Sequence, residues 1–146
     1  MKRMSKKTIL GFTSIILGFL LNIMHIISYF FIFYFTSLGW ADYGSSIGLN
    51  FLLTFGGVMI FINYCLGSTA ILGFIVGNII DRIIVCGMYG DFVSFGMILF
   101  PAISSLIMAV IWVKNREKHD FKNIQLIIIS LFVLFIIFFP KLFCDP

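Results

Sequence analysis

Charge is what this sequence has least of. Only 11% of its 146 residues are Asp, Glu, Lys or Arg, where an ordinary soluble domain carries about 25%. A chain this poor in charge cannot clothe a globular surface facing water. With 61% hydrophobic residues and a mean hydropathy of +1.13, it is an integral membrane protein in one compact helical unit. Cysteine is scarce too. Cys65, Cys86 and Cys144 show neither CxxC nor His-linked spacing, so no metal site is indicated and no cofactor is expected. No lipid anchor is expected, since no Gly follows Met1 and the sequence closes Cys144-Asp145-Pro146. The net charge of +4 does not point to nucleic acid, because the basic residues gather in two short clusters that membrane topology explains.

What is there in abundance is long apolar runs. A spanning helix needs about 20 apolar residues. Five runs qualify, at about 9–35, 49–66, 69–86, 94–113 and 123–139. The first is too long for a cleavable signal and has no small-x-small cleavage site, so it is expected to stay as a membrane helix. Lys2, Arg3, Lys6 and Lys7 precede helix one, while Lys114, Arg116, Lys118 and Lys122 lie between helices four and five. Five spans put both clusters inside, and merging helices two and three would not. The expected topology therefore has the N-terminus in the cytoplasm. Asp42, Asp91 and the C-terminal tail lie outside. Cys86 and Cys144 both fall towards that outer face, where a disulfide and two free thiols both fit.

Polar residues follow helical spacing. Gly11, Ser14, Gly18, Asn22, His25 and Tyr29 share one face of helix one, which reads as a face for packing against another helix. His25 has no partners at metal-ligand spacing. Asn50, Thr54 and Gly57 give helix two a similar face, and Gly67-Ser68 is expected to make a tight turn. Trp40 and Tyr43 suit an interfacial aromatic belt. Pro101 should kink helix four, with Ser104 and Ser105 taking up freed carbonyls. Helix five is almost uniformly Ile, Leu and Phe, reads as lipid-facing, and is expected to end at Pro140.

The stretch from Gly73 to Phe95 is the exception to this apolar pattern. Thr69, Gly73, Gly77 and Asp81 repeat every fourth position, and Gly73-x-x-x-Gly77 matches a close-approach motif. Asn78 and Arg82 share the neighbouring face. Ionisable groups at such depth are expensive and point to function, although an Asp81–Arg82 ion pair that fixes helix packing is the plainer reading. Gly87 and Gly90 suggest a helix break, after which Asp91 can cap helix four.

These features in order resemble the bacterial lipoprotein signal peptidases (signal peptidase II). Gly77-Asn78-Ile79-Ile80-Asp81-Arg82 matches that family's Gly-Asn-x-x-Asp-Arg motif at every fixed position. Gly87-Met88-Tyr89-Gly90-Asp91-Phe92 looks like its Gly-x-Val-x-Asp-Phe segment. Asp42 to Gly48 looks like a worn form of its outer-loop Asn-x-Gly-Ala-Ala-Phe-Gly motif, and includes Gly44. The resemblance implies an all-α polytopic bundle: a signal-peptidase-like domain over residues 1–122, and an additional helix with a short outer tail over 123–146.

It further implies an intramembrane aspartyl endopeptidase of the bacterial plasma membrane. The expected partners are lipid-modified prolipoprotein signal peptides and membrane lipid, with no nucleic acid. Two Asp carboxylates share a proton in such an enzyme. By position Asp91 is the first of them. Asn78 and Arg82 order the site and hold substrate, Asp81 is a structural acid, and Gly44 belongs to the substrate side. The family's Phe-Asn-x-Ala-Asp motif falls on Phe100-Pro101-Ala102-Ile103-Ser104, so Ser104 stands where the second catalytic Asp is expected. Two further readings stay open. One is a non-enzymatic protein binding lipidated peptides or a membrane partner, as an immunity, chaperone or assembly factor. The other is a small transporter using Asn78, Asp81 and Arg82.

Overall fold

The computed structural model describes residues 4–33, 40–89, 95–116 and 122–142. These form α1 (Lys6–Phe33), α2 (Trp40–Ile62), α3 (Tyr64–Tyr89), α4 (Phe95–Asn115) and α5 (Asn123–Leu142), with no strand among the described residues. α1, α2, α3 and α5 each hold a stretch long and apolar enough to cross a membrane. The described apolar part of α4, Pro101–Asn115, is shorter. The protein is thus a multi-pass membrane protein.

Local chemistry sets the helix ends. Ser5 opens α1: its Oγ accepts from the Thr8 amide at 3.1 Å and its carbonyl from the Ile9 amide at 3.0 Å. Asn63 alone separates α2 from α3. It donates to the Met59 carbonyl at 2.7 Å, and its Oδ1 accepts the Leu66 amide at 3.3 Å. The turn expected at Gly67-Ser68 therefore lies four residues earlier. Gly67 instead lets α3 touch α2, since a Cβ there would stand 2.4 Å from the Ile60 nitrogen. α2 also begins earlier than expected, at Trp40, so Asp42 to Gly48 is helical rather than loop. α3 runs through Gly87 and ends at Tyr89, within the Gly87–Asp91 segment where a break is expected. One glycine costs a helix only about 1 kcal/mol, too little to stop it.

α1 to α4 form a ring in which each helix packs on the next and α4 returns to α1; α5 lies outside, in the furrow between α2 and α3. The core runs along the ring's interior through Leu10, Leu49, Leu53, Ile60, Ile71 and Phe74, all with no exposed surface. The expected polar face of α1 meets the expected polar face of α2. Gly11 and Gly57 bring the two backbones together, with a Cβ on Gly57 only 2.8 Å from the Gly11 carbonyl oxygen. Gly18 sits on Thr54, and the Asn50 amide lies 3.2 Å from the His25 Nδ1, which is itself 2.8 Å from the Leu21 carbonyl. Outward, Phe19, Phe51, Leu131 and Phe135 are all more than half exposed. Lipid tails solvate such a surface where water would not.

Pro101 lies inside α4 and is buried. Ser104 and Ser105 are buried one turn on, at 5% and 3% exposure, but the Ser105 hydroxyl has no hydrogen-bond partner among the described residues. It does not satisfy a carbonyl freed by the proline, contrary to expectation. At the other end of α4, Trp112 ties the helix to α3: its Nε1–H donates to Ser68 Oγ at 2.9 Å and to the Ser68 carbonyl at 3.1 Å.

Candidate functional site

The site begins with the geometry of α3 and α5. Small residues on α3 leave room for a neighbouring helix, and α5 fills it. A Cβ on Gly73 would stand 2.6 Å from Ile129, and one on Gly77 would stand 2.9 Å from Val133. One turn further along α3, Asp81 meets Lys141 of α5. The contacts rise together along both chains, so α3 and α5 run parallel. Helix five is therefore not wholly lipid-facing. Ile129, Val133, Ile137 and Lys141 form one inward stripe on an otherwise exposed helix.

α5 also passes the proline expected to end it, reaching Leu142. The Lys141 ammonium donates to the Ile137 carbonyl at 3.2 Å, a bond that suits a cation in the last turn of a helix. Pro140 then rests on α2, where a Cβ on Gly44 would lie 3.1 Å from its ring. Gly48 meets Ile136 one turn away.

Asp81 is the centre of this end of the bundle. It has no exposed surface, and each carboxylate oxygen holds one cation. Oδ1 accepts from Lys141 Nζ at 2.6 Å, and Oδ2 accepts from the Arg82 guanidinium. The same guanidinium nitrogen donates to Ser46 Oγ at 2.9 Å, which brings α2 into the network. Burying these charges is tolerable because every one is paired and bonded. Asn78 is buried one turn back along α3, at 3% exposure, and takes no part in the ion pairs among the described residues.

Of the residues expected at the site, the structure brings Asp81 and Arg82 together, with Asn78 close along α3. Gly44 lies at the same end, beside the Pro140 ring of α5. Ser104 is buried on α4. Asp91 lies outside the described residues, as do Cys144 and the Gly90–Asp91 junction, and the side chains of Asp42 and Cys86 are also outside the described set. Two participants were missed by sequence reasoning, Ser46 and Lys141. Lys141 did carry a signal. Eight of the ten Lys and Arg residues fall in the two basic clusters, and the remaining two are Arg82 and Lys141. Both charges bracket the one acid inside α3.

No protein-family model, curated protein or solved structure matches the chain. Its chemistry is therefore argued from the site itself.

Proposed function

We propose that this chain binds lipid-modified signal peptides in the bacterial plasma membrane without cleaving them, on a scaffold of the lipoprotein signal peptidase type. The observation that carries the reading is the state of Asp81. Aspartyl proteolysis needs two carboxylates that share a proton, one activating water and one protonating the intermediate. Both oxygens of Asp81 are occupied by cationic donors on two helices, so it is not placed to join such a pair. Ser104, at the position of the second acid, offers a hydroxyl that cannot hold the charge. Asp91 is left as a single acid, and losing one member of a catalytic unit removes most of its effect. What persists is the positioning part of the motif, with Asn78, Asp81 and Arg82 buried together. Binding without turnover suits an immunity, chaperone or assembly role.

The second reading, an active peptidase, is favoured by the intact Gly77-Asn78-x-x-Asp81-Arg82 segment. One experiment separates the two. Full-length protein in nanodiscs is given a fluorescent diacylglyceryl-modified prolipoprotein signal peptide. The expected result is saturable binding with no cleavage. Cleavage that disappears in Asp91→Asn and survives in Ser104→Ala would establish the peptidase instead, and absence of binding would sink both. The register has its own check: Pro101→Asn combined with Ser104→Asp is expected to restore measurable turnover.

A further inference from the structure

Asp81 is reached from the α2–α3 furrow, and the chain's own fifth helix fills that furrow. Glycines on both walls seat it. Gly44 and Gly48 of α2 meet Pro140 and Ile136, while Gly73 and Gly77 of α3 meet Ile129 and Val133. At the end of α5 the Lys141 ammonium takes Asp81 Oδ1 at 2.6 Å. A second apolar helix coming to Asp81 through this furrow would meet α5 first.

The sequence around α5 has the layout of a signal peptide. Lys114, Arg116, Lys118 and Lys122 come first, and an apolar stretch from Ile124 to Phe139 follows. A basic stretch and then an apolar one is the order of a signal peptide. On the expected topology α5 also enters the membrane from the cytoplasm, as a signal peptide does. Where a cleavable peptide carries small residues, this segment carries Phe138-Phe139-Pro140-Lys141. Such a segment can occupy a peptide site without being a substrate. Its hold is also incomplete. Only Ile129, Val133 and Ile137 are buried among the described residues of α5. One turn before Ile129, the Gln125 amide oxygen is buried with no hydrogen-bond partner among the described residues, a cost that seating imposes. An apolar groove of about 230 Å³ stays open between α3 and α5, from Thr69 and Leu126 to Ile80 and Leu134. Unfilled space forfeits packing contacts, so a better-fitting helix can compete for the furrow. We propose that α5 is a built-in pseudosubstrate. It occupies the furrow that a lipid-modified signal peptide takes, Lys141 closes Asp81, and the peptide binds by displacing it. This rests on the peptide-binding reading and gives that site its regulation.

The test is binding of the fluorescent diacylglyceryl-modified signal peptide to full-length variants in nanodiscs. Gly73→Cys with Ile129→Cys, in a background lacking Cys65, Cys86 and Cys144, sets two thiols at disulfide distance, because a Cβ on Gly73 stands 2.6 Å from the Ile129 side chain. Oxidation locks α5 in place and should abolish binding, and reduction should restore it. Lys141→Met loosens the contact without a lock. It should bind on the order of tenfold more tightly than the unaltered protein, in proportion to the rise in the open fraction. Equal affinity of the oxidised and reduced forms would overturn the proposal, as would Lys141→Met binding no more tightly than the unaltered protein. Should the cysteine variant fail to fold, the Lys141→Met comparison decides alone. Absence of binding by every form, reduced and unaltered alike, sinks the peptide-binding reading and this proposal with it, whereas equal binding by locked and open forms sinks only the pseudosubstrate.

Discussion

Asp81 holds cations from its own helix and from α5, and each residue of this trio has a different expected cost of removal. Asp81→Asn leaves Arg82 and Lys141 buried without that shared carboxylate. Breaking a buried pair in this way costs about 3–5 kcal/mol. Lys141→Met should cost less, because Arg82 continues to balance Asp81 and the Met side chain suits the apolar surroundings. Thermal unfolding in detergent, followed by circular dichroism, should order the variants with Asp81→Asn lowest. If Asp81→Asn melts with the unaltered protein, the ion-pair account of this end of the bundle is wrong. Arg82→Lys tests the third bond: lysine keeps the charge but is shorter than arginine and lacks the guanidinium nitrogen that reaches both Asp81 and Ser46, so intermediate loss is expected.

Among elements, the glycines report which helix pairs are closely packed. Gly67→Ala would push a methyl group against the Ile60 backbone, which cannot move aside as a side chain can. Gly77→Ala meets only the side-chain ends of Leu49 and Val133, at 2.6 and 2.9 Å. Overpacking typically costs about 1–3 kcal/mol, with Gly67→Ala expected at the upper end and Gly77→Ala at the lower. Gly87 is the control: a Cβ there meets nothing within 4 Å. Gly87→Ala should stabilise α3 by about 0.5–1 kcal/mol through helix propensity alone. The same three variants examine the helix boundaries. A helix that broke at Gly87 would not gain from alanine there.

For the whole molecule the expectation concerns sidedness. α3 and α5 pack parallel, with α4 connecting them in the chain, and the two chain ends are expected on opposite sides of the bilayer. By the distribution of basic residues, the N-terminus and the α4–α5 connection are expected in the cytoplasm. A cysteine introduced at Lys118 in a background lacking Cys65, Cys86 and Cys144 should react with a membrane-impermeant maleimide only after the membrane is opened. One introduced at Asp145 should react in intact cells. The reverse pattern would invert the proposed face of the site and remove its access to exported lipoproteins.

The sequence by itself determined the membrane class, five helices and the small-residue faces. Each is a property of composition or of spacing along one helix, and both survive without knowledge of neighbours. It also marked Asp81 and Arg82, because charges inside an apolar run are visible wherever they go. Tertiary structure decided what those faces touch. Gly73 and Gly77 announced a close approach but not that α5 would make it, since a lone Ile- and Phe-rich helix looks the same on every side. The inward stripe of Ile129, Val133 and Ile137 exists only once α2 and α3 offer a furrow. Lys141 stands 60 residues from Asp81 in sequence, so no local pattern joins them. The pairing comes from the low polarity of the bilayer, in which a buried carboxylate and a buried ammonium are far costlier apart than together. That cost turns α5 from an added span into part of the site.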